Sequence, residues 1–212
     1  MTGLTFDPLG ALFAALSLFP TMILHELAHG YVADRMGDMS PRLHGRLTVN
    51  PRRHIDPFGT LVLPGLLLLP QLFGYATPAF GYAKPMPLEP SRLKNPDRQL
   101  ALIMLAGPVV NLVLAVLGSV AYRFLLGVPY LDRFLLIFML TNLLVAILHI
   151  FPIPPLDGAK VLATLLPPRP REVMERLEPY GALFMLLIFF LFSGPVLFMV
   201  EAIRSGLVSL LV

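Results

Sequence analysis

The amino-acid sequence predicts an all-α polytopic membrane protein, and three observations carry that class. Of its 212 residues, 56% are hydrophobic and 14% are charged, whereas soluble domains carry about 25% charged residues. The apolar residues gather in runs long enough to cross a bilayer, about 20 residues each. The loops between these runs are rich in arginine. Mean hydropathy is +0.76 and the pI is about 9.4. The basic balance does not point to nucleic acid, because the arginines sit beside apolar segments, which is ordinary membrane topology. The sequence has no cysteine. Disulfides and thiolate ligands are therefore excluded, and any metal must be held by histidine and carboxylate. No basic region precedes the first apolar run, so no cleavable signal peptide is expected.

Residues 1–8 form a short lead. Apolar character then runs from Leu9 to Val32 and includes Thr21-Met22-Ile23-Leu24-His25-Glu26-Leu27-Ala28-His29-Gly30, an H-E-x-x-H pattern. On a helix, His25 and His29 lie one turn apart on one face, so both imidazoles can bind one metal ion. Glu26 stands beside the first of them, placed to take a proton from an activated water. Histidines at this spacing also form simple hydrogen-bonded pairs. Inside a membrane-type helix, however, two histidines and a carboxylate are costly unless they pair or bind something, which favours the metal. Asp34, Arg35 and Gly37-Asp38 end the segment.

Residues 36–57 are polar and turn-rich. The alternation Arg46-Leu47-Thr48-Val49 permits a short strand pair. Arg35, Arg42, Arg46, Arg52 and Arg53 place this loop in the cytoplasm. His44 and His54 read as solvated loop histidines. Pro57 to Leu72 is apolar but is broken by Gly59, Pro64, Gly65 and Pro70. Chain parity argues that it is re-entrant, or doubles back through Phe73 to Phe80. A full crossing there would put Asp157 on the opposite side from His25 and His29. Irregular backbone at membrane depth needs a protein or water-lined surrounding, so this segment should border a cavity. Lys84, Arg92, Lys94 and Arg98 mark the next loop as cytoplasmic.

Leu100 to Phe124 is a second firm span and contains Gly107-Pro108-Val109-Val110-Asn111. Gly107 allows close helix approach, and Pro108 frees a backbone carbonyl. Asn111 serves either as an interhelical hydrogen bond or in positioning near the metal. The third span, Phe134 to Phe151, carries Thr141 and Asn142 mid-helix and His149 near its end. Pro152-Ile153-Pro154-Pro155 then prevents regular helix. Asp157 can cap the following helix. At the end of a span returning to the metal's side, it is equally a third ligand, and catalytic zinc takes three protein ligands and one open position. Residues 167–179 form a polar connector with Arg169, Arg171 and Arg176. Tyr180 to Phe192 reads as a further span. Val196 to Val212 reads as a last short span or an interfacial helix.

These motifs together resemble the site-2 protease family of intramembrane zinc metalloproteases, in its compact prokaryotic form. The matching stretches are His25-Glu26-x-x-His29, Gly45-Arg46-Leu47-Thr48-Val49-Asn50-Pro51 with His54-Ile55-Asp56-Pro57, Gly81-Tyr82-Ala83-Lys84-Pro85, Gly107-Pro108-x-x-Asn111, and Pro152-Ile153-Pro154-Pro155-Leu156-Asp157-Gly158. The resemblance implies one zinc ion held by His25, His29 and Asp157, with Glu26 as general base. It implies a three-helix catalytic core, about 9–166, followed by C-terminal helices, about 178–212. The length leaves no room for the PDZ or CBS modules that some relatives carry, so a single domain over 1–212 is expected. One position departs from the pattern: the family usually has asparagine eight residues before the ligand aspartate, where this chain has His149.

The expected activity is hydrolysis of peptide bonds within or near transmembrane segments of membrane proteins, in the cell membrane of a bacterium or archaeon. The active site is expected toward the cytoplasm. Asn111, Asn142 and His149 are the candidates for holding substrate or oxyanion. The substrate helix must unwind, and the Pro152–Pro155 or Leu47–Asn50 segment could pair with it by β-addition. The alternative is a zinc-binding relative that holds partner helices without cutting them. A transporter would string ionisable groups along several spans, and these spans are apolar apart from the motif.

Overall fold

The structure is a computed structural model. It describes residues 7–72 and 81–181 and, beyond them, 183, 184, 187, 194, 195, 198, 199, 202, 203, 205 and 206. The expected doubling back through 73–80 lies outside the described residues. So do the expected segments at 180–192 and 196–212, apart from 180, 181 and those single positions.

Helix α1 (Pro8–Met36) opens at Asp7, whose carboxylate accepts the Gly10 N–H at 3.0 Å, an N-cap followed by proline at the first helical position. A single turn, α2 (Ser40–Leu43), follows. A π-helical turn over Pro57–Val62 runs on into α3 (Leu63–Leu72). Then come α4 (Pro96–Phe124), α5 (Leu131–Ile150), α6 (Asp157–Leu165) and α7 (Pro168–Leu177). Three of these, α1, α4 and α5, are long and apolar enough to cross a membrane. They coincide with the three firm spans read from the sequence.

The three helices pack as one bundle. An Asp7–Arg133 ion pair ties the start of α1 to the start of α5. Phe13 meets Phe134 edge-on just inside, with ring centroids 5.7 Å apart. These two helices therefore run in the same direction. Helix α4 runs against them: Gln99, in its first turn, donates to the Met36 carbonyl at the end of α1 at 3.3 Å. Ala33, Leu93, Ile103 and Met104 form a buried cluster at that end. A second core joins Leu63, Ala115, Met139, Leu143 and Leu156, fastening α3 and the proline-rich segment to α4 and α5. In lipid such packing rests on close contact and hydrogen bonds, because the surrounding chains are as apolar as the side chains.

The chain returns from its α3 excursion beside the point where it left. Tyr82 N–H donates to the Gly59 carbonyl at 3.0 Å, and Lys84 N–H to the His54 carbonyl at 2.8 Å. The excursion thus starts and ends at one level, as parity required. Only α1, α4 and α5 then set the side on which Asp157 emerges.

Two expectations for the 36–57 loop are corrected. No strand occurs among the described residues, so the short β segment around Arg46–Val49 is absent, while the all-helical class stands. Local bonds curl the loop instead: Thr48 N–H closes on the Arg46 carbonyl at 2.9 Å. His54 is not solvated. It is 2% exposed, and its ring Nε2 lies 2.7 Å from the Thr48 carbonyl. Buried Arg46 donates to the carbonyls of Lys84 and Pro85 at 2.6 and 3.1 Å. It pins the returning segment to the loop with charge-assisted bonds.

Asp38 fastens the same region. It is fully buried and accepts the backbone N–H groups of Ser40 at 3.0 Å and Glu89 at 2.7 Å. Burial alone would raise its carboxyl, but the Glu89 and Ser40 bonds outweigh it and hold the group below its ordinary 3.8. A carboxyl lowered on folding contributes stability above its unfolded pKa, and that contribution fades as pH falls through the folded value. Asp38→Asn should therefore cost about 1–3 kcal/mol at neutral pH, the range for a disturbed buried hydrogen bond. The melting temperatures of wild type and variant in detergent should converge in acid. A gap that stays constant down to acid pH would contradict this role.

Candidate metal centre

His25 and His29 sit one turn apart on the inner face of α1, each 2% exposed. The aspartate that meets them lies 132 residues beyond His25 in the chain, just past the end of the parallel helix α5. After α5 stops at Ile150, the proline-rich segment turns the chain, and Asp157 is the first residue of α6. It does not cap that helix: the N-cap position is Leu156, with no side-chain cap bond. The carboxylate instead reaches back to the histidines. Gly158 makes this possible, because a Cβ there would strike the carbonyl oxygens of Ile150 and of Phe151, the latter at 2.6 Å. Helix α6 can therefore start directly beneath the end of α5.

One oxygen, Asp157 Oδ2, is the focus of the site. His25 Nε2 lies 2.9 Å from it, His29 Nε2 3.3 Å and His149 Nδ1 2.8 Å. One ligand atom from each of His25, His29 and Asp157 falls within 4.8 Å of the others, and all three residues are buried. The surroundings test whether a cation belongs there. His29 Nδ1 is 2.7 Å from the Ile103 carbonyl, which can only accept, so the ring's proton is on Nδ1. In the neutral ring Nε2 then offers a lone pair; the atom is buried and has no hydrogen-bond partner. A lone pair facing a carboxylate oxygen at 3.3 Å is repulsive, and either a metal ion between them or a second proton on the ring relieves it. Two imidazoles and a carboxylate without sulfur are a normal zinc set. The group fits a single zinc ion.

Helix α4 supplies the frame around these three residues. The Asn111 amide lies 2.9 Å from His25 Nδ1 and fixes that ring's rotation. Gly107, one turn earlier, faces both imidazoles. A Cβ on Gly107 would collide with His25 Nε2 and would stand 2.6 Å from His29 Nε2. The bare glycine backbone is what lets α4 close on the two imidazoles while the Ile103 carbonyl still reaches His29. Outer partners of this kind orient metal ligands and set their basicity.

Beside the ligands lies a cavity of about 330 Å³, whose walls include Glu26, Asp56, Tyr82, His149, Asp157 and Lys160. Glu26 Oε2 is buried without a hydrogen-bond partner. A buried carboxylate oxygen left unbonded at a metal-sized group is a candidate for chemistry rather than for structure. Lys160, one turn into α6, pairs with Glu178 at 3.1 Å on the cavity wall.

The residues singled out in the sequence are thus only partly brought together. His25, Glu26, His29, His149 and Asp157 converge. Asn111 touches a histidine, not the cavity. Asn142 lies two turns below His149, fully buried, with its amide donating to the Phe138 carbonyl at 2.9 Å. It is not among the residues that line the cavity. The sequence does not signal the Ile103 carbonyl or Lys160, Tyr82 enters it only within the Gly81–Pro85 stretch, and Gly107 reads there only as a point of helix approach. Gly107 and Asn111 are four residues apart on one helix face, so the motif held the signal that both serve one partner.

Comparison with known proteins agrees with this picture. No family model matches the chain, and no solved structure matches it. A protein of Bacillus subtilis strain 168, provisionally named zinc metalloprotease YwhC, is 34% identical over 186 residues, which cover 84% of this chain and 80% of its own. A Mycobacterium tuberculosis H37Rv protein, provisionally named zinc metalloprotease Rip2, is 33% identical over 175 residues, covering 80% of this chain. The Mycolicibacterium smegmatis protein of the same name is 30% identical over 177 residues. The match spans 63% and 62% of these two Rip2 chains, less than two thirds of their length.

Gly107→Ala is the direct test of the frame. Alanine is the better helix former, so α4 itself should persist while the ligand imidazoles are pushed apart. Zinc affinity, measured by chelator competition, should fall at least about 10-fold, the scale for outer-partner substitutions. Wild-type affinity in that variant would show that the helices have room to spare.

Proposed function

The chain belongs to the site-2 protease family of zinc metalloproteases, and we propose that it is an intramembrane endopeptidase that cuts membrane proteins within or near their transmembrane segments. The observation that carries this reading is the juxtaposition on α1 of a ligand pair with Glu26, whose unbonded carboxylate oxygen borders the cavity.

His25, His29 and Asp157 would hold the zinc. When bound, zinc supplies Lewis acidity to the scissile carbonyl and the attacking water. Glu26 accepts the water's proton on its carboxylate and returns it to the leaving amine, acting first as base and then as acid. Burial of the site inside the bundle keeps these charges in a low-dielectric surrounding, where they act strongly.

A substrate helix must lose its own hydrogen bonds before Glu26 can work on it. Ala83 and Pro85, in the extended return segment, line the cavity together with Pro155. An unwound substrate strand lies along these walls, where Ala83 is the residue that can pair with it by β-addition. The Leu47–Asn50 stretch, the other candidate for that pairing, is curled and does not line the cavity. Its Leu47 packs instead against Gly30. The end of the bundle that carries the site also carries Arg35, Arg42, Arg52, Arg53, Lys84, Arg92, Lys94 and Arg98. By the positive-inside rule this end faces the cytoplasm, in a cell membrane.

The test is cleavage of a membrane-embedded substrate by the purified protein in liposomes. Glu26→Gln should bind zinc as wild type does yet cleave about 10²–10⁴-fold more slowly, the usual contribution of a positioned acid–base group. A chelator should abolish cleavage, and added zinc should restore it. Wild-type cleavage by the Gln variant would falsify the role of Glu26. A wild-type protein that binds zinc and substrate but never cuts would favour a binding protein.

A further inference from the structure

The chemistry of the ligand set leaves one group unaccounted for. His149 is on the last turn of α5, eight residues before Asp157, and its Nδ1 is 2.8 Å from Asp157 Oδ2. Its ring packs edge-on against the His25 ring, with centroids 4.3 Å apart. It is not part of the convergent set of ligand atoms formed by His25, His29 and Asp157. We propose that His149 is a positioning residue for the third ligand: its Nδ1–H holds the Asp157 carboxylate in place, and His149 itself does not bind the metal.

This inference rests on His25, His29 and Asp157 being the ligands. Asp157 has no anchor in its own helix, because it makes no cap bond. The partners of its Oδ2 are imidazoles: His25, His29 and His149. Once a cation is bound, His25 and His29 direct their Nε2 lone pairs to it and can no longer donate to the carboxylate. Among the described residues, His149 is then the donor that remains. A carboxylate ligand held by a neighbouring N–H keeps its bonding oxygen aimed, and losing such a partner weakens metal binding. A donor on α5 that aims a ligand on α6 also spans the proline-rich turn, so the ligand's direction does not depend on that turn alone. The ring remains partly open to the cavity, with a side-chain exposure of 15%.

The amide nitrogen of asparagine can stand where imidazole Nδ1 stands, whereas that of glutamine reaches the Nε2 position. This difference makes the proposal testable on the full chain in detergent. Zinc affinity would be measured by chelator competition, and ligand geometry by the visible spectrum of the cobalt-substituted protein. The variants are His149→Ala, His149→Asn, His149→Gln and Asp157→Ala.

His149→Ala and His149→Gln should bind zinc about 10–100-fold more weakly and alter the cobalt spectrum, whereas His149→Asn should restore both. Unchanged affinity and spectrum in His149→Ala overturn the proposal. So does rescue by glutamine and not asparagine, or loss in all three His149 variants. Wild-type affinity in Asp157→Ala instead removes the ligand reading on which the proposal stands. None of these readouts depends on proteolysis, so a failure here is separate from a failure of the proposed activity.

Discussion

A carboxylate sunk in an apolar helix bundle is expensive, and the whole architecture can be read as the means of keeping Asp157 there. Its oxygen is met by imidazoles at 2.8, 2.9 and 3.3 Å. Taking a charge out of water costs several kcal/mol unless partners compensate it. A cation shared with two imidazoles would supply that compensation and would also give His29 Nε2, which has no hydrogen-bond partner, a place to bind.

The bundle satisfies this demand by its directions. Helices α1 and α5 start together at the Asp7–Arg133 pair and end together at the histidines. Helix α4 threads back between those ends and brings Gly107, Asn111 and the Ile103 carbonyl to the ligands. Two missing side chains carry much of the geometry. At Gly107 the absence of a Cβ admits two imidazoles, and at Gly158 it admits the end of α5. Both glycines lie inside short sequence motifs, so the motifs describe contact surfaces as well as ligands.

Much of this was legible in the sequence. A 29-residue helix with histidines four apart announces itself through length and spacing. Parity then forces the broken Pro57–Leu72 segment to give the chain back on the side it left, which the Tyr82 and Lys84 bonds express. What was not legible turned on contacts far apart in the chain. The Arg46–Val49 alternation reads as a strand, but its backbone closes locally, Arg46 N–H on the Pro41 carbonyl and Thr48 N–H on the Arg46 carbonyl, and leaves no ladder to build. His54 lies in a basic loop and looked solvated, yet the returning segment covers it. Asn142 shares a helix with His149, and its depth could not be told until α5 was placed against α1. Ile103 was invisible for a simpler reason: it acts through its backbone carbonyl, which no residue type signals.

The fold converges on one candidate ion site, His25, His29 and Asp157. Zinc K-edge absorption of the purified protein in detergent would examine that most directly. The expected result is a single zinc per chain bound by two imidazoles and by oxygen at about 2.0–2.2 Å, without sulfur. A protein purified with zinc available that holds none, or one whose zinc sees fewer than two imidazoles, would contradict the convergence of His25, His29 and Asp157.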